Sequence, residues 1–448
     1  MTKPSPFPDD FVWGAATSAF QIEGLPLADG AGPSNWQQFC QRPGTIVNGD
    51  TGERACEHYR LFDEDVALMK TLGLKAYRFS VAWSRIFPTG RGKLNQKGLD
   101  FYLRLLDSLE QAGIRPFPTL HHWDLPLALD EAGGWSNRDC ALWFADYAHT
   151  LFQAFGTRIP QWSTLNEPWV IVHEGYVQGS HPPGLQNMTK ARLAAHNLLR
   201  GHALAVQAFR ADGEGEIGLV VNLEPKYAAS DSAEDQAAMA RAHAWMNRQF
   251  LDPVFLGQYP EELTDIYGSA PLFPEADYQL IREPIDFLGI NYYSRSVVRD
   301  APSRLPFRSE RVRQNAAPHT EMDWEVFPEG IKSCLLWVQR RYGDIPLYLT
   351  ENGGAFSDPP PQDGPIADTP RVDYFRAHLQ SAHEAIMQGV NLKGYYAWSL
   401  LDNFEWAYGY SKRFGLIHVD YQTQRRSPKA SALFYRDVIT SHGQAVWD

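Results

Sequence analysis

Two β-rich segments of the sequence end in a glutamate that stands beside an asparagine. Residues 162–168 carry Glu167 after Asn166, and residues 347–353 carry Glu351 before Asn352. Two carboxyl groups can cleave a glycosidic bond, because one protonates the leaving oxygen while the other attacks the sugar or activates water. A single glutamate among the 53 acidic residues is more often a solvated surface group. Two glutamates at the ends of apolar, strand-like segments predict a catalytic pair.

The elements that must position this pair alternate along the whole chain. Eight predicted strands lie at residues 11–17, 75–81, 115–121, 161–165, 216–223, 285–292, 346–350 and 392–399. Helices are predicted between them, for example at 57–72 and 97–112, where apolar residues recur at helical spacing and a glycine follows. Eight βα units without a linker favour the α/β class with a single (β/α)8 TIM barrel domain, residues 1–448, over two doubly wound domains. In such a barrel both glutamates would point into one pocket at the C-terminal face.

Two long stretches after predicted strands have the composition of loops. They cover residues 299–322, after the sixth strand, and residues 358–370, after the seventh. In a barrel these elaborated βα loops would lie at the C-terminal face, where active sites are found. Five arginines between residues 299 and 313 form a basic cluster, a pattern typical of a solvated face.

The composition excludes several classes of partner. The 448 residues include 53 acidic and 41 basic ones, a net charge of −12, and no long Lys/Arg run, so nucleic acid and anionic membrane surfaces are disfavoured. The first ten residues lack the apolar stretch of a signal peptide, and no later segment is apolar enough to span a membrane. Four scattered cysteines indicate neither a disulfide framework nor a thiolate metal site. We therefore expect a cytoplasmic protein.

Signals for a cofactor or a metal are weak. Residues 213–218 fit the Gly-x-Gly-x-x-Gly dinucleotide pattern, but they precede a predicted strand, whereas the phosphate site needs them after one. No His-Glu-x-x-His motif is present, and the adjacent His121 and His122 would point to opposite faces of a strand. The sequence therefore predicts no cofactor and no metal.

Seven segments, in order, carry a family resemblance. They are FVWGAATSAFQIEG (11–24), YRFS (77–80), HHWDLP (121–126), TLNEP (164–168), NYY (291–293), TENG (350–353) and WSLLDNFEW (398–406). With these segments the chain resembles the β-glucosidases of glycoside hydrolase family 1 over nearly its whole length. The resemblance implies a retaining exo-β-glycosidase that removes terminal β-D-glucosyl residues from small β-glycosides or oligosaccharides, with β-galactosides and β-fucosides as further substrates.

The resemblance also assigns residues to roles. It makes Glu351 the nucleophile and Glu167 the acid/base of a double displacement through a covalent glycosyl-enzyme. Arg78 and Tyr293 would favour the carboxylate form of Glu351, and the charge of Glu351 would help to raise the pKa of Glu167. The implied sugar-binding residues are Gln21, His122, Trp123, Asn166, Asn291, Tyr293, Trp324, Trp398, Glu405, Trp406 and Phe414.

Among these residues, Asn166 would bond the sugar 2-hydroxyl, Trp398 would form a flat floor, and Trp324 would stack on the second sugar. Family members that act on 6-phosphorylated glycosides replace the glutamate at position 405 with a small residue. Since Glu405 would repel a phosphate, the resemblance implies an unphosphorylated substrate. Pro182 and Gly354 depart from the commoner residues of the family, and these departures bear on fine specificity.

Several alternatives remain open from the sequence. A transglycosylating family member would share the glycosyl-enzyme and differ only in its acceptor. A 6-phospho-β-glycosidase conflicts with Glu405, and a sugar-binding protein without catalysis should lack one carboxylate of the pair. A nicotinamide oxidoreductase would depend on the glycines at 213–218 alone.

Overall fold

A closed barrel of eight parallel strands forms the centre of the protein, which a computed structural model describes at residues 7–269, 272–360 and 364–448. The strands β1 to β13 are Val12–Ala16, Ala76–Ser80, Arg115–His121, Gln161–Asn166, Glu216–Asn222, Lys226–Ala228, Phe287–Tyr292, Ser296–Asp300, Ser309–Arg311, Leu347–Asn352, Leu392–Trp398, Ile417–Val419 and Arg426–Pro428. The order around the barrel is β1-β11-β10-β7-β5-β4-β3-β2. The predicted (β/α)8 barrel is confirmed, and all eight predicted strands lie within two residues of the observed ones.

Helices surround the barrel and connect its strands. Helices α1 to α16 are Ala19–Ile22, Asn35–Cys40, His58–Thr71, Trp83–Ile86, Gln96–Ala112, Leu127–Glu131, Cys140–Phe155, Pro168–Val172, Met188–Asp212, Ala233–His243, Gln249–Leu256, Leu263–Tyr267, Glu275–Ile281, Glu329–Tyr342, Thr369–Met387 and Ala430–Thr440. The two helices predicted at 57–72 and 97–112 are α3 and α5, each within one residue at either end. Within the described ranges, no helix is both long and apolar enough to cross a membrane.

The loop prediction for residues 299–322 is partly wrong. Residues 299–300 belong to β8, and β9 at Ser309–Arg311 pairs antiparallel with it, while β6 completes a small three-stranded sheet. The sequence does not indicate β9, because its three polar residues show no apolar alternation. Its pairing with β8 depends on backbone hydrogen bonds and on the ion pair between Arg299 and Glu310. In the predicted loop 358–370, the residues before α15 that the structure describes have no regular helix or strand, and 361–363 lie outside the described residues.

Aromatic rings fill the barrel interior. The rings of Phe117, Phe287, Tyr348, Tyr396, Trp398 and Phe414 form one buried cluster together with Ala16 and Ala76. Gly14 of β1 makes room for this packing, because a Cβ there would lie 2.4 Å from the ring of Tyr396. The filled interior leaves space for a pocket only at the end of the barrel, where the strands finish and the loops begin.

Candidate active site

The backbone places both glutamates at the C-terminal ends of barrel strands. Glu351 lies inside β10, one residue before its end, and Glu167 directly follows β4. Glu167 has a left-handed backbone with φ of 47°, which costs about 1–3 kcal/mol in a residue other than glycine. Pro168 then opens α8 at the first helical position, where the missing N–H does no harm. Strain of this kind is typical of functional sites, where the surrounding structure holds a side chain in one direction.

Close contact between loops fixes the turn that follows Glu351. A Cβ on Gly353 would lie 1.8 Å from the carbonyl oxygen of Trp398, so only glycine allows this approach. The contact joins the end of β10 to the end of β11, which carries Trp398. It therefore couples the position of Glu351 to the aromatic wall beside it.

Both carboxylate oxygens of Glu351 accept hydrogen bonds from buried groups. Arg78 donates to Oε1 at 2.7 Å, and the Tyr293 hydroxyl donates to Oε2 at 2.6 Å. Burial raises the pKa of Glu351, while the charge of Arg78 and the hydrogen bond from Tyr293 act against this rise. The fully buried guanidinium of Arg78 is thus a built-in counter-ion for an ionised Glu351.

Glu167 has a different environment. The amide nitrogen of Asn291 donates to its Oε1 at 2.6 Å, and within the described part of the chain no cation hydrogen-bonds this carboxyl group. Burial, followed by the negative charge of Glu351, raises the pKa of Glu167 well above its usual range. Because Arg78 pairs with Glu351 whereas the amide of Asn291 is the partner of Glu167, Glu351 gives up its proton more readily than Glu167.

An amide between the two glutamates orders the neighbouring groups. Asn166 Oδ1 accepts hydrogen bonds from Arg78 at 2.7 Å and from Asn291 at 3.1 Å. The amide nitrogen of Asn166 must therefore face His122 Nε2, which lies 3.0 Å away and acts as the acceptor. Burial lowers the pKa of His122 well below its usual value, so its ring is neutral with the proton on Nδ1.

Gln21 and Glu405 lie together near the ends of β1 and β11. Gln21 Nε2 donates to the Phe404 carbonyl at 2.9 Å, to Asn403 Oδ1 at 3.1 Å and to Glu405 Oε2 at 3.4 Å. Burial and the charge of Glu351 raise the pKa of Glu405 to about 8. Buried amide and carboxyl groups of this kind can each donate to and accept from a sugar hydroxyl.

Indole and imidazole rings form one wall of the pocket. The rings of Trp123 and Trp406 lie 4.6 Å apart, and His122 stacks on Trp398 at 5.8 Å and on Trp406 at 6.0 Å. Trp123 and Trp406 both have positive φ, 80° and 48°, a conformation rare outside glycine. Flat apolar rings with polar edges suit the faces of a sugar ring.

A cavity of about 430 Å³ brings most of the predicted site residues together. Its lining includes His122, Trp123, Glu167, Asn291, Tyr293, Trp324, Glu351, Trp398, Glu405, Trp406 and Phe414. The other three predicted residues, Gln21, Arg78 and Asn166, are fully buried beside this lining, and each hydrogen-bonds one of its residues. The cavity has the volume of a small-molecule site.

Comparison with known proteins decides the family. The family model "Glycosyl hydrolase family 1" matches residues 3–444. The chain belongs to glycosyl hydrolase family 1. Members of this family retain the anomeric configuration of the sugar.

Relatives and solved structures of the family match the chain along its length. "Beta-glucosidase A" of Thermotoga maritima is 48% identical, with 98% of each chain covered, and "Beta-glucosidase A" of Acetivibrio thermocellus is 45% identical, with 98% of this chain and 99% of that protein covered. The structure of the Thermotoga maritima enzyme in complex with glucoimidazole superimposes with a TM-score of 0.95 at 48% identity, covering 98% of this chain and 99% of that one.

Further lining residues were not predicted from the sequence. They include Trp169, Asn222, Glu224, Met246, Arg311 and Met322. Asn222 ends β5, so the rule that places active-site residues at the ends of barrel strands could have found it. No such signal exists for Met246 and Met322, which lie far from any strand end and reach the cavity through the tertiary fold.

Two histidines near the entrance differ in position. His181 lines the cavity, whereas His173 lies behind it, with its ring stacked on Trp169 at 4.4 Å. Trp245 Nε1 donates to His173 Nδ1 at 3.2 Å, and burial lowers the pKa of His173 to about 4. In this family member His173 therefore supports Trp169 as a neutral ring rather than meeting the substrate itself.

The glycine pattern at 213–218 is not part of a nucleotide site. Gly213 is the cap that ends α9, Gly215 directly precedes β5, and Gly218 lies inside β5, so the glycines do not connect the end of a strand to the start of a helix. His121 accepts a hydrogen bond from Trp135 Nε1 while its neighbour His122 lines the cavity, so the two rings face opposite ways. Within the described ranges, no group of three His, Cys, Asp or Glu side chains is arranged to hold a metal ion.

Proposed function

We propose that the protein is a retaining β-glucosidase that removes terminal β-D-glucosyl residues from small β-glycosides. The observation that carries this proposal is the unequal pair of buried glutamates, with Glu351 held by Arg78 and Tyr293 and Glu167 held by Asn291. The cavity of this pair lies at the C-terminal ends of the barrel strands, and its lining includes Trp123, Trp398 and Trp406, whose flat rings suit the faces of a sugar ring.

In the first step, the Glu351 carboxylate attacks the anomeric carbon while Glu167 gives its proton to the leaving oxygen. A covalent glycosyl ester forms on Glu351, and the leaving group departs as an alcohol. Once esterified, Glu351 carries no charge, so the main charge that raised the pKa of Glu167 disappears. Glu167 is then a carboxylate that can take a proton from water as the water oxygen attacks the anomeric carbon and releases Glu351. Two inversions give net retention.

The residues around the pair would hold the glucosyl unit. We assign the 2-hydroxyl to Asn166, whose amide is already oriented by Arg78 and Asn291. The hydroxyls at the other end of the ring fall to Gln21, His122 and Glu405, with further contacts from Trp123 and the Trp406 N–H. In this proposal Trp398 is the floor, and Trp324 and Phe414, whose rings lie 6.1 Å apart, flank the leaving-group side.

The pH dependence of kcat/KM should show Glu167 as the group that must stay protonated. Because its pKa is raised, activity should persist at neutral pH and fall only as the pH rises through that raised value. Initial rates from pH 4 to 10 measure this fall in activity, the alkaline limb of the pH profile. The alkaline limb should be absent from Glu167→Ala assayed with an activated aryl glucoside, which needs no acid. A limb that persists there would belong to Glu405, whose pKa is raised to about 8, and would contradict the prediction.

A substrate series should separate the plain glucosidase from its closest alternatives. We expect hydrolysis of p-nitrophenyl β-D-glucoside and at least about 10²-fold lower kcat/KM for its 6-phosphate, because the phosphate would lose its hydration without gaining a cation. In this proposal Glu405 lies at the end of the cavity that would face the phosphate, and no lysine is found among the described residues that line the cavity. Equal rates on both substrates would favour a 6-phospho-β-glycosidase. No activity on either, from a folded sample, would favour a sugar-binding protein.

Transglycosylation shares the same glycosyl-enzyme, so it is measured separately. The ratio of p-nitrophenol to free glucose, followed as the concentration of an added alcohol increases, gives the share of intermediates that water captures. β-Galactosides and β-fucosides in the same series test the side activities.

Three broader features complete the proposal. We propose that residues 1–448 form one catalytic domain, since the barrel strands extend from Val12 to Trp398 and the family match covers 3–444. We also propose a cytoplasmic location, which the four buried cysteines, all free thiols, support. The proposed partners are β-glycosides, with no nucleic acid, membrane or cofactor.

A further inference from the structure

The five arginines of the basic cluster at 299–313 differ in their partners. Arg299 and Arg304 both form ion pairs with Glu310, and Arg313 forms one with Asp323. Within the described ranges, neither Arg308 nor Arg311, the last residue of β9, makes an ion pair or a side-chain hydrogen bond, and of the two only Arg311 lines the catalytic cavity. Its guanidinium therefore has hydrogen-bonding capacity to spare.

Arg311 lies where two cavities adjoin. It lines the catalytic cavity, and it also lines an outer cavity of about 660 Å³ bounded by residues 177–188 and by the loop that carries Phe307. The other arginine of the outer cavity, Arg304, is absent from the catalytic one. A group that extends outward from the catalytic cavity at this point would pass the Arg311 guanidinium.

Arg311 lies on the leaving-group side of the catalytic cavity. In the ring of strands, β5 lies opposite β1, so the chain that follows β5 is farthest from Gln21 and from Glu405, which follow β1 and its neighbour β11. Two lining residues belong to this part of the chain: Asn222 is the last residue of β5, and Glu224 follows it. The charge of Arg311 helps to lower the pKa of Glu224, so Arg311 lies near this side of the barrel. Arg311 is thus placed beyond the glucosyl unit.

The carboxylates near Arg311 form their hydrogen bonds with other groups. The two oxygens of Glu224 are taken by Lys226 Nζ at 2.6 Å and Ser296 Oγ at 2.5 Å. Glu351 has its counter-ion in Arg78, and Glu174 bonds the hydroxyl of Ser180. Among the described residues that line the catalytic cavity, Arg311 is the only arginine or lysine. A leaving group with one negative charge would find its partner there.

We propose that Arg311 binds a carboxylate carried by the leaving group, so that the enzyme prefers β-glucosides of acidic aglycones over their neutral counterparts. The preference rests on the proposed glucosidase function and adds the chemical class of the leaving group. A guanidinium is suited to this role, because its planar fork donates two parallel hydrogen bonds to a carboxylate and it stays charged at every working pH. The outer cavity leaves room for the rest of a long aglycone.

The test compares paired substrates in paired variants. The substrates are 4-carboxyphenyl and 4-(2-carboxyethyl)phenyl β-D-glucosides, each with its methyl ester, which cover two reaches of the carboxylate. The quantity measured is the ratio of kcat/KM for the acid to that for its ester. Dividing the ratio in a variant by the ratio in the unmodified enzyme removes the intrinsic reactivity of each leaving group.

Arg311→Gln should lower this ratio about three- to fivefold for at least one pair, the size typical of a partly exposed ion pair. Arg311→Lys should keep most of the preference, and the preference should shrink between 0.1 and 1 M NaCl as the Debye length falls from about 10 to about 3 Å. The matched control is Arg308→Gln, which removes an exposed arginine of the same loop that lines neither cavity and should leave the ratio unchanged.

An unchanged ratio in Arg311→Gln, or an equal drop in Arg308→Gln, would overturn the proposal. A drop that Arg311→Lys does not restore would point to shape rather than charge and would overturn it too. Hydrolysis of the neutral esters tests the glucosidase function independently. If the unmodified enzyme does not hydrolyse them, the glucosidase function is refuted, whatever the role of Arg311.

Discussion

Replacing Glu351 with glutamine should abolish turnover while the barrel stays folded. Glutamine is nearly isosteric, but its amide cannot attack the anomeric carbon, so no glycosyl-enzyme forms. Losses on the order of 10⁴- to 10⁶-fold in kcat are typical when a covalent nucleophile is removed. Steady-state hydrolysis of p-nitrophenyl β-D-glucoside measures the effect, and circular dichroism checks the fold. Arg78 keeps its hydrogen bonds to Asn166 and to the Thr350 carbonyl, although it loses its counter-ion and the melting temperature should fall.

Glu23→Gln is a matched control for that loss of a counter-ion. Glu23 is also a buried glutamate paired with a buried arginine, since Arg85 Nε donates to it at 2.6 Å, yet it is absent from the lining of the catalytic cavity. The variant should lose stability in the same way but keep kcat within about tenfold of the unmodified enzyme. A Glu351→Gln enzyme that also stayed within tenfold would contradict the role of Glu351. So would a 2-deoxy-2-fluoroglucosyl label found on any other residue by peptide mass spectrometry.

The barrel could be predicted from the sequence because its strands are buried on both faces. Strands such as Val12–Ala16 and Phe287–Tyr292 have every residue buried, so they read as short apolar runs between helical patterns. The small sheet of β6, β8 and β9 lacks this signal, since most of its residues are half-exposed and β9 is polar throughout. The eight barrel strands can therefore be predicted from the sequence because they are buried, whereas the half-exposed outer sheet cannot.

The residues of the catalytic cavity also divide into those that the sequence indicates and those that it does not. Glu167 and Glu351 can be predicted from their positions at or just after the ends of barrel strands, since these ends meet in one place, whereas Trp398 is implied by the family resemblance. Arg311 cannot be singled out among five similar arginines, because what distinguishes it is its place in the lining of the catalytic cavity. Likewise, the sequence does not indicate that Asn166 and Gln21 are fully buried beside this lining. Such facts belong to tertiary contacts.

Removing the carboxyl group of Glu167 should make the rate depend on the leaving group. In Glu167→Ala, an unactivated alkyl β-glucoside should react about 10²- to 10⁴-fold more slowly, because its leaving oxygen must depart without a proton. A 2,4-dinitrophenyl glucoside leaves as a stable anion and should form the glycosyl-enzyme at nearly the normal rate. Stopped-flow measurement should then show a burst of dinitrophenol followed by a slow phase, since the base that activates water is missing too. Equal rate losses for both substrates would contradict the role of Glu167 as acid.

Azide should accelerate the slow phase in Glu167→Ala. It is already an anion, needs no base, and is small enough for the space left by the missing carboxyl group. Attack by azide on the Glu351 ester would give β-glucosyl azide, with the β configuration because the anomeric carbon has inverted twice. The unmodified enzyme should respond little, because its Glu167 carboxylate occupies that space and repels an anion. NMR analysis of the product measures the outcome: an α-glucosyl azide, or no rescue despite an observed burst, would mean that water and azide do not reach the intermediate on the Glu167 side.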